Sequence, residues 1–238
     1  MPSLLFYEKP VIVNRDAHKA TKIGSVDSFG FAANTNSVAL TGIEFAEACK
    51  EYAVVFAKTG EKLLPVALLG FRDNENLFVD AEGKWDARYL PAFVRRYPFV
   101  LADTGGSDLS VCIDEASSAF NNEDGQPLFD ADGKNTPFLE HALGFLNQYQ
   151  FHFKRTEAFS QRIQELELMT ELSAKVEMND GRNYLLNGLW VVDESKLMNL
   201  AADKAEGLLK SGELSWIYAH LISLSNISRL VDKTSARP

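Results

Sequence analysis

The alternation of apolar and polar positions opens with a short apolar stretch, Ser3 to Val13, broken by Pro10. That pattern fits an edge strand or extended arm, where a missing amide donor is tolerated. The first helix signal is Thr41-Gly42-Ile43-Glu44, whose capping-box spacing predicts a helix to about Lys50 with Phe45 and Ala48 on its apolar face. Tyr52 to Lys58 and Leu63 to Phe71 read as two strands joined through Thr59-Gly60-Glu61-Lys62, a hairpin whose second arm is interrupted by Pro65. Apolar runs at Asn76 to Asp80, Phe99 to Leu101 and Leu109 to Ile113 predict further short strands, and Pro91 is placed to open a short helix ending before Pro98.

From Thr136 the pattern turns helical. Thr136 is placed to cap and Pro137 to occupy the first turn, ahead of a stripe of Phe138, Ala142, Phe145, Leu146 and Tyr149. Phe159, Ile163, Leu166, Met169 and Leu172 continue at steps of three and four, which predicts two helices or one long kinked helix. A small β-meander is predicted from Lys175 to Met178, Tyr184 to Leu186 and Leu189 to Val192, turning at Asn179-Asp180-Gly181-Arg182 and again at Asn187-Gly188. Asp193 then predicts a capped helix through Leu209, stopped near Gly212. A last helix from Glu213 aligns Trp216, His220 and Ile227, with the tail beyond Asp232 fraying. A strand-rich first half with antiparallel hairpins and a helix-rich second half with a small meander make the class α+β. No Pro- or Ser-rich linker interrupts residues 1–238, so one domain is expected; the place where it would divide is near 135. Leu77 to Lys84 and Leu128 to Lys134 echo each other, each an apolar strand entering an acidic Gly turn before a Pro-bearing helix. Recurring turn chemistry and internal duplication both account for such an echo.

Composition narrows the partners. The chain has 238 residues, 24 Lys and Arg against 33 Asp and Glu, and a formal net charge of −9. Its basic residues cluster only in short pairs such as Arg95-Arg96 and Lys154-Arg155, so nucleic acid is not an expected partner. Cys49 and Cys112 have neither CxxC spacing nor a disulfide ladder around them and are expected as buried reduced thiols. No apolar run approaches the roughly 20 residues that cross a bilayer, so no transmembrane insertion is expected. The first residues carry no basic region, long apolar core or cleavage site, which predicts a cytoplasmic protein unless another export route serves it.

The chemical motifs are fragmentary. Asp103-Thr104-Gly105 follows an apolar strand as an aspartic protease loop does, but that chemistry needs two aspartates and the motif occurs once, leaving a polar loop or a dimeric enzyme. Asp130-Ala131-Asp132-Gly133 fails as a calcium loop, because the first and last ligand positions would fall on Leu128 and Leu139. Asp80, Glu82, Asp124, Asp130 and Asp132 read as solvated turn residues. Gly105-Gly106-Ser107-Asp108-Leu109 lacks the second glycine of a nucleophile elbow. His18, His141, His152 and His220 have no metal-like spacing, so neither a metal nor a cofactor is expected.

The most distinctive stretch is Gly83 to Phe99, dense in Trp, Tyr and Arg, the residue types that dominate binding hot spots. It nominates Trp85, Arg88, Tyr89, Arg95, Arg96 and Tyr97 as a partner-binding set. The competing reading sends Trp85, Phe93 and Phe99 into the core and pairs the arginines with acids. This block, together with Glu51-Tyr52-Ala53-Val54-Val55-Phe56, Leu186-Asn187-Gly188, Gly212-Glu213-Leu214 and Tyr218 to Leu224, resembles the bacterial SapC family over nearly the whole chain. The family takes its name from a surface-layer-associated protein. Ala53 stands where relatives often carry proline. The resemblance supplies no catalytic residues. It implies a companion of envelope systems, since some relatives are encoded near TonB-dependent receptors, flavin-dependent halogenases or cupin-type oxygenases. The leading expectation is therefore a non-catalytic protein- or peptide-binding component. The alternatives are an enzyme drawing on Asp86, Asp103, His152 or His220, and a surface-layer subunit.

Overall fold

Three short strands open the chain, β1 (Pro10–Ile12), β2 (Lys22–Ile23) and β3 (Ser37–Ala39), and each finds its partners far along the sequence. The computed structural model describes residues 4–103, 109–177 and 183–237. After β3 comes the capping box. The Glu44 carboxylate accepts from the Thr41 amide and hydroxyl, both at 2.8 Å, and starts a single 3-10 turn followed by α1 (Phe45–Ala48). Gly42 is required there, since a Cβ would lie 2.3 Å from the Trp216 ring.

The predicted hairpin forms as β4 (Val54–Thr59) and β5 (Lys62–Leu68), paired from Val54↔Ala67 to Thr59↔Lys62. Gly60 supplies the left-handed turn conformation at φ 62°. Pro65 is tolerated inside β5 because β3 ends at Ala39, opposite Val66, and the residue after it uses only the proline's carbonyl, which accepts from Leu40 N at 3.0 Å. Asn76 to Asp80 does not form the expected strand. It makes a single bridge, Val79↔Trp85, around a turn.

That turn is built twice. Asp80 N donates to Lys84 O (3.0 Å), Gly83 N to Asp80 O (3.1 Å) and Lys84 N to Asp80 Oδ1 (2.7 Å). Asp130, Gly133 and Lys134 repeat the same three bonds at 2.8, 3.0 and 2.8 Å. Gly83 and Gly133 sit at φ 79° and 75°. The first turn leads through Pro91 to α2 (Ala92–Arg95), then β6 (Phe99–Ala102) and β7 (Ser110–Asp114). These join β1 in the antiparallel order β1-β7-β6, with β1 at the edge as the Pro10 signal predicts. Next, β8 (Phe120–Asn121) and β9 (Gln126–Pro127) flank β2 in a small sheet.

The second turn leads to α3 (Pro137–Glu165), one 29-residue helix whose Thr136 Oγ1 accepts from Leu139 N. It ends earlier than the spacing predicts. Glu167 adopts a left-handed conformation at φ 55°, and Met169 and Leu172 leave the helix for β10 (Met169–Glu177). β10 pairs with β11 (Asn183–Val192) as one long hairpin, not a meander. Asn187-Gly188 is no turn: Gly188, at φ 71°, lies where the register slips opposite Leu172 and Ala174. The turn expected at 179–182 lies outside the described residues. β11 bonds β4 through Leu189↔Ala57 and Trp190↔Phe56, completing a sheet of order β10-β11-β4-β5-β3.

Asp193 Oδ1 accepts from Ser195 N and Lys196 N, as its capping role requires, but the helix splits into α4 (Glu194–Met198) and α5 (Ala202–Lys210). Asn199 folds its amide back onto the Ser195 carbonyl at 2.7 Å, a local bond that competes with helix continuation. Gly212, at φ 78°, separates α5 from α6 (Glu213–Ser223), and α7 (Ile227–Ala236) follows. The tail does not fray at Asp232. Arg237 donates to the carbonyls of Asn76 (2.9 Å), Leu77 (3.2 Å) and Val79 (2.7 Å) and fixes the end of α7. The fold is α+β, with antiparallel strands dominating the first half and helices the second, where the β10–β11 hairpin is the exception. Helix α3 joins its two main cores, burying Phe159 and Ile163 with Phe45, Phe56 and Ile217, and Leu139 and Leu146 with Phe99 and Ile113.

Candidate functional site

The 85–97 segment divides by burial. Trp85 points inward, its indole N–H donating to Tyr52 Oη at 2.9 Å and its ring packed against Phe29 and Phe78. It is 7% exposed and belongs to the core, as does Phe99. Arg88 is exposed, while its amide and that of Tyr89 donate to the Glu51 carboxylate at 2.9 and 2.8 Å. Arg229 approaches the same carboxylate at 3.5 Å. The half-buried Tyr89 donates its hydroxyl to Glu44 Oε1 at 2.8 Å, and the Ala92 amide donates to the same oxygen at 2.7 Å. Glu44 thus satisfies four donors while buried, which is the condition for keeping a carboxylate out of water. Burial, reinforced by Glu44, pushes the Tyr89 phenol well above its ordinary range.

The two adjacent arginines have opposite roles. Arg96 is half-buried, its guanidinium 4.0 Å from the Phe93 ring and 5.2 Å from the Tyr149 ring, and so forms part of the wall. Arg95 is exposed. Its Nε donates to the Leu90 carbonyl at 2.9 Å, and its guanidinium lies 5.9 Å from the Tyr89 ring and 5.4 Å from the Phe145 ring. Tyr97 stacks on Phe31 at 3.9 Å and donates to Asp114 Oδ2 at 3.2 Å. Asp114, itself buried, also receives the amides of Glu8 and Lys9.

Arg95, Arg96 and Tyr97 form one side of a groove of about 400 Å³, closed on the other by α3. Ile23, Val26, Phe99, Phe138, Ala142 and Phe145 give it an apolar surface. Its remaining ionisable group is His141, whose Nδ1 donates to the Pro137 carbonyl at 2.9 Å; among the described residues lining the groove there is no carboxylate. A second depression, of about 530 Å³, adjoins it and shares His141 and Phe145. The α3 side was not legible as a site, because Phe138, Ala142 and Phe145 read as core. They are half-buried, on a face adjacent to the fully packed Leu139, Leu146 and Tyr149. Arg88 and Tyr89 lie apart from this groove, beside a cleft shared with Glu47, Lys50, Glu51 and Arg229.

The residues proposed for an enzyme are occupied differently. His220 is completely buried and spends both ring nitrogens on backbone: Nδ1–H donates to the Val54 carbonyl (2.8 Å) and Nε2 accepts from the Val192 amide (3.0 Å). Desolvation lowers its pKa to about 4, so it is a neutral brace between β4 and β11. Asp86 is paired with Lys233 of α7, which holds its carboxyl below the usual range. His152 is half-buried on α3, and Asp103 is exposed after β6. Thr104-Gly105 of the protease-like triplet and Gly105 to Asp108 of the elbow-like run lie outside the described residues. Among the described residues, no three His, Cys, Asp or Glu side chains are grouped to hold a metal ion. Cys49 and Cys112 are unpaired thiols, and only Cys112 is buried as expected.

The family model SapC matches residues 13–230. The chain belongs to the SapC family. No curated protein and no solved structure matches it. The match takes in every groove residue named above, both Asp–Gly turns and His220. In this SapC protein the blocks that carry the resemblance also bond to one another: Glu51 of the first caps the amides of Arg88 and Tyr89 in the second, and His220 of the last bonds Val54 of the first. No helix among its described residues is long and apolar enough to cross a membrane.

Proposed function

We propose that this SapC-family protein is a non-catalytic binding component of a bacterial envelope-associated system, and that it takes a protein or peptide partner in the groove between Arg95–Phe99 and α3. The observation that carries this reading is a preformed apolar channel, bordered by arginine and histidine, in a chain of net charge −9. Apolar concavities with a few convergent polar groups are where ligands bind, and aromatic and Arg anchors supply most recognition energy. The environment suggested by the family makes a halogenase, an oxygenase or a TonB-dependent receptor system the partner to look for.

The test is quantitative affinity capture from the native cell with the wild-type chain and with a variant in which the groove is filled, Ala142→Trp. The expected result is a protein retained by the first and lost by the second at unchanged thermal stability. Identical retention by both chains refutes the groove as the binding site.

A further inference from the structure

Resting on that reading of the groove, we infer that its ligand is a linear segment of a partner protein carrying an acidic side chain beside a large apolar one. The carboxylate is seated on Arg95 and the apolar side chain against Phe138 and Phe145. Three observations lead there. The first is charge: the groove's ionisable side chains are Arg95, Arg96, His141 and the phenol of Tyr97, whereas the molecule as a whole is acidic. Two acids lie beside it and both are engaged: Asp114 is buried behind Tyr97 and accepts from its hydroxyl at 3.2 Å, and Glu140, which lines the adjoining depression, accepts from Asn135 Nδ2 at 2.6 Å. A site of this sign selects carboxylates and disfavours basic segments.

The second is preorganisation. Arg96 is sandwiched between rings with its Nε buried and unbonded, so it serves as wall. Arg95 is exposed but already fixed by the Leu90 carbonyl and flanked by Tyr89 and Phe145. A planar guanidinium held in place accepts a carboxylate with little further loss of side-chain freedom.

The third is continuity. The groove runs on past His141 and Phe145 into the second depression. We assign the occupant as a segment passing through both depressions, which presents its carboxylate from along the chain and not from its end. The carboxylate is therefore that of an Asp or Glu side chain.

The probe is a phage-displayed library of random short peptides, selected on the immobilised full-length wild-type protein and, in parallel, on Arg95→Gln and Gly144→Trp. Gly144 borders the second depression and a Cβ there meets open space, so this variant blocks the channel without disturbing the core. The expected wild-type sequences place Asp or Glu beside Phe, Trp, Leu or Ile. Resynthesised peptides should bind about tenfold more tightly than their Asn or Gln versions, as a charge-assisted hydrogen bond implies. C-terminal amidation should leave their affinity unchanged. Arg95→Gln should abolish the tenfold preference while retaining apolar binding, and Gly144→Trp should abolish both. Peptides that bind without an acid, or equally to Arg95→Gln, overturn the carboxylate assignment and leave the groove standing. Peptides that bind Gly144→Trp unchanged, or no selected peptides at all, overturn the groove as well. Recruitment to phosphatidylglycerol vesicles that requires Arg95, without peptide selection, overturns the inference in favour of a lipid surface.

Discussion

Replacing His220 by Gln should remove a defined part of the protein's sensitivity to acid. In the native state the imidazole is neutral, with both nitrogens bonded and a pKa lowered to about 4 by burial. In the unfolded chain it returns to about 6.5. Protons therefore bind the unfolded state first as the pH falls. The stability that neutral His220 confers is complete above about pH 6.5 and is lost progressively down to about pH 4. Over the interval from about pH 7.5 to about pH 5, the two pKa values give a loss of about 2 kcal/mol from this residue alone. Gln cannot titrate but offers one donor and one acceptor. The variant should start less stable by about 1–3 kcal/mol through imperfect geometry, and then fall by about 2 kcal/mol less than wild type over the same interval. Urea unfolding at both pH values, followed by tryptophan fluorescence, reads this difference, and the exposed carboxylates cancel because both chains carry them. Equal acid losses in the two proteins, or an NMR titration that places His220 near 6.5, would refute the assignment of a buried neutral brace.

Three further substitutions follow from the geometry. Gly144→Ala, mid-helix with open space for its Cβ, should raise stability by about 0.5–1 kcal/mol in thermal unfolding; a decrease would mean that α3 is not the regular helix described here. Thr156→Val takes away the hydroxyl that accepts from the Gly42 amide at 2.8 Å in a buried setting. It should cost about 1–3 kcal/mol in chemical denaturation, and an unchanged midpoint would show that this bond is dispensable. Arg237→Ala strips a donor from three carbonyls and should speed amide exchange in the last turns of α7 relative to α6; equal protection in both proteins would contradict the clamp.

The elements that were legible in the sequence are those set by local chemistry. The capping box at Thr41 and Glu44, the Thr136-Pro137 start, the Asp193 cap and the β4–β5 turn at Gly60 are each decided by residues within a few positions of one another. Where partners are distant, the pattern misleads. Met169 and Leu172 keep helical spacing but belong to a strand because Glu167 turns left-handed before them, and Arg237 orders a tail whose composition suggests fraying. The candidate site shows the same division. Density of Trp, Tyr and Arg located the 85–97 segment, yet Trp85 is committed to Tyr52 and Arg96 to Phe93 and Tyr149, partners that composition does not reveal. Arg95 and Arg96 are neighbours in sequence, one exposed and one half-buried between rings, and the facing wall on α3 resembles core in sequence although it borders the groove.

The pair of matched Asp–Gly turns bears on how the chain finds its structure. Each closes through bonds among five consecutive residues, so each can form before any distant strand has arrived, on the timescale of hairpin closure. Most of the sheet ladders, by contrast, join segments far apart, as β1 with β7 and β4 with β11, and such pairings are slow to assemble. Two early kinks, one leading into α2 and one into α3, shorten the search by fixing where the backbone reverses before those long loops close.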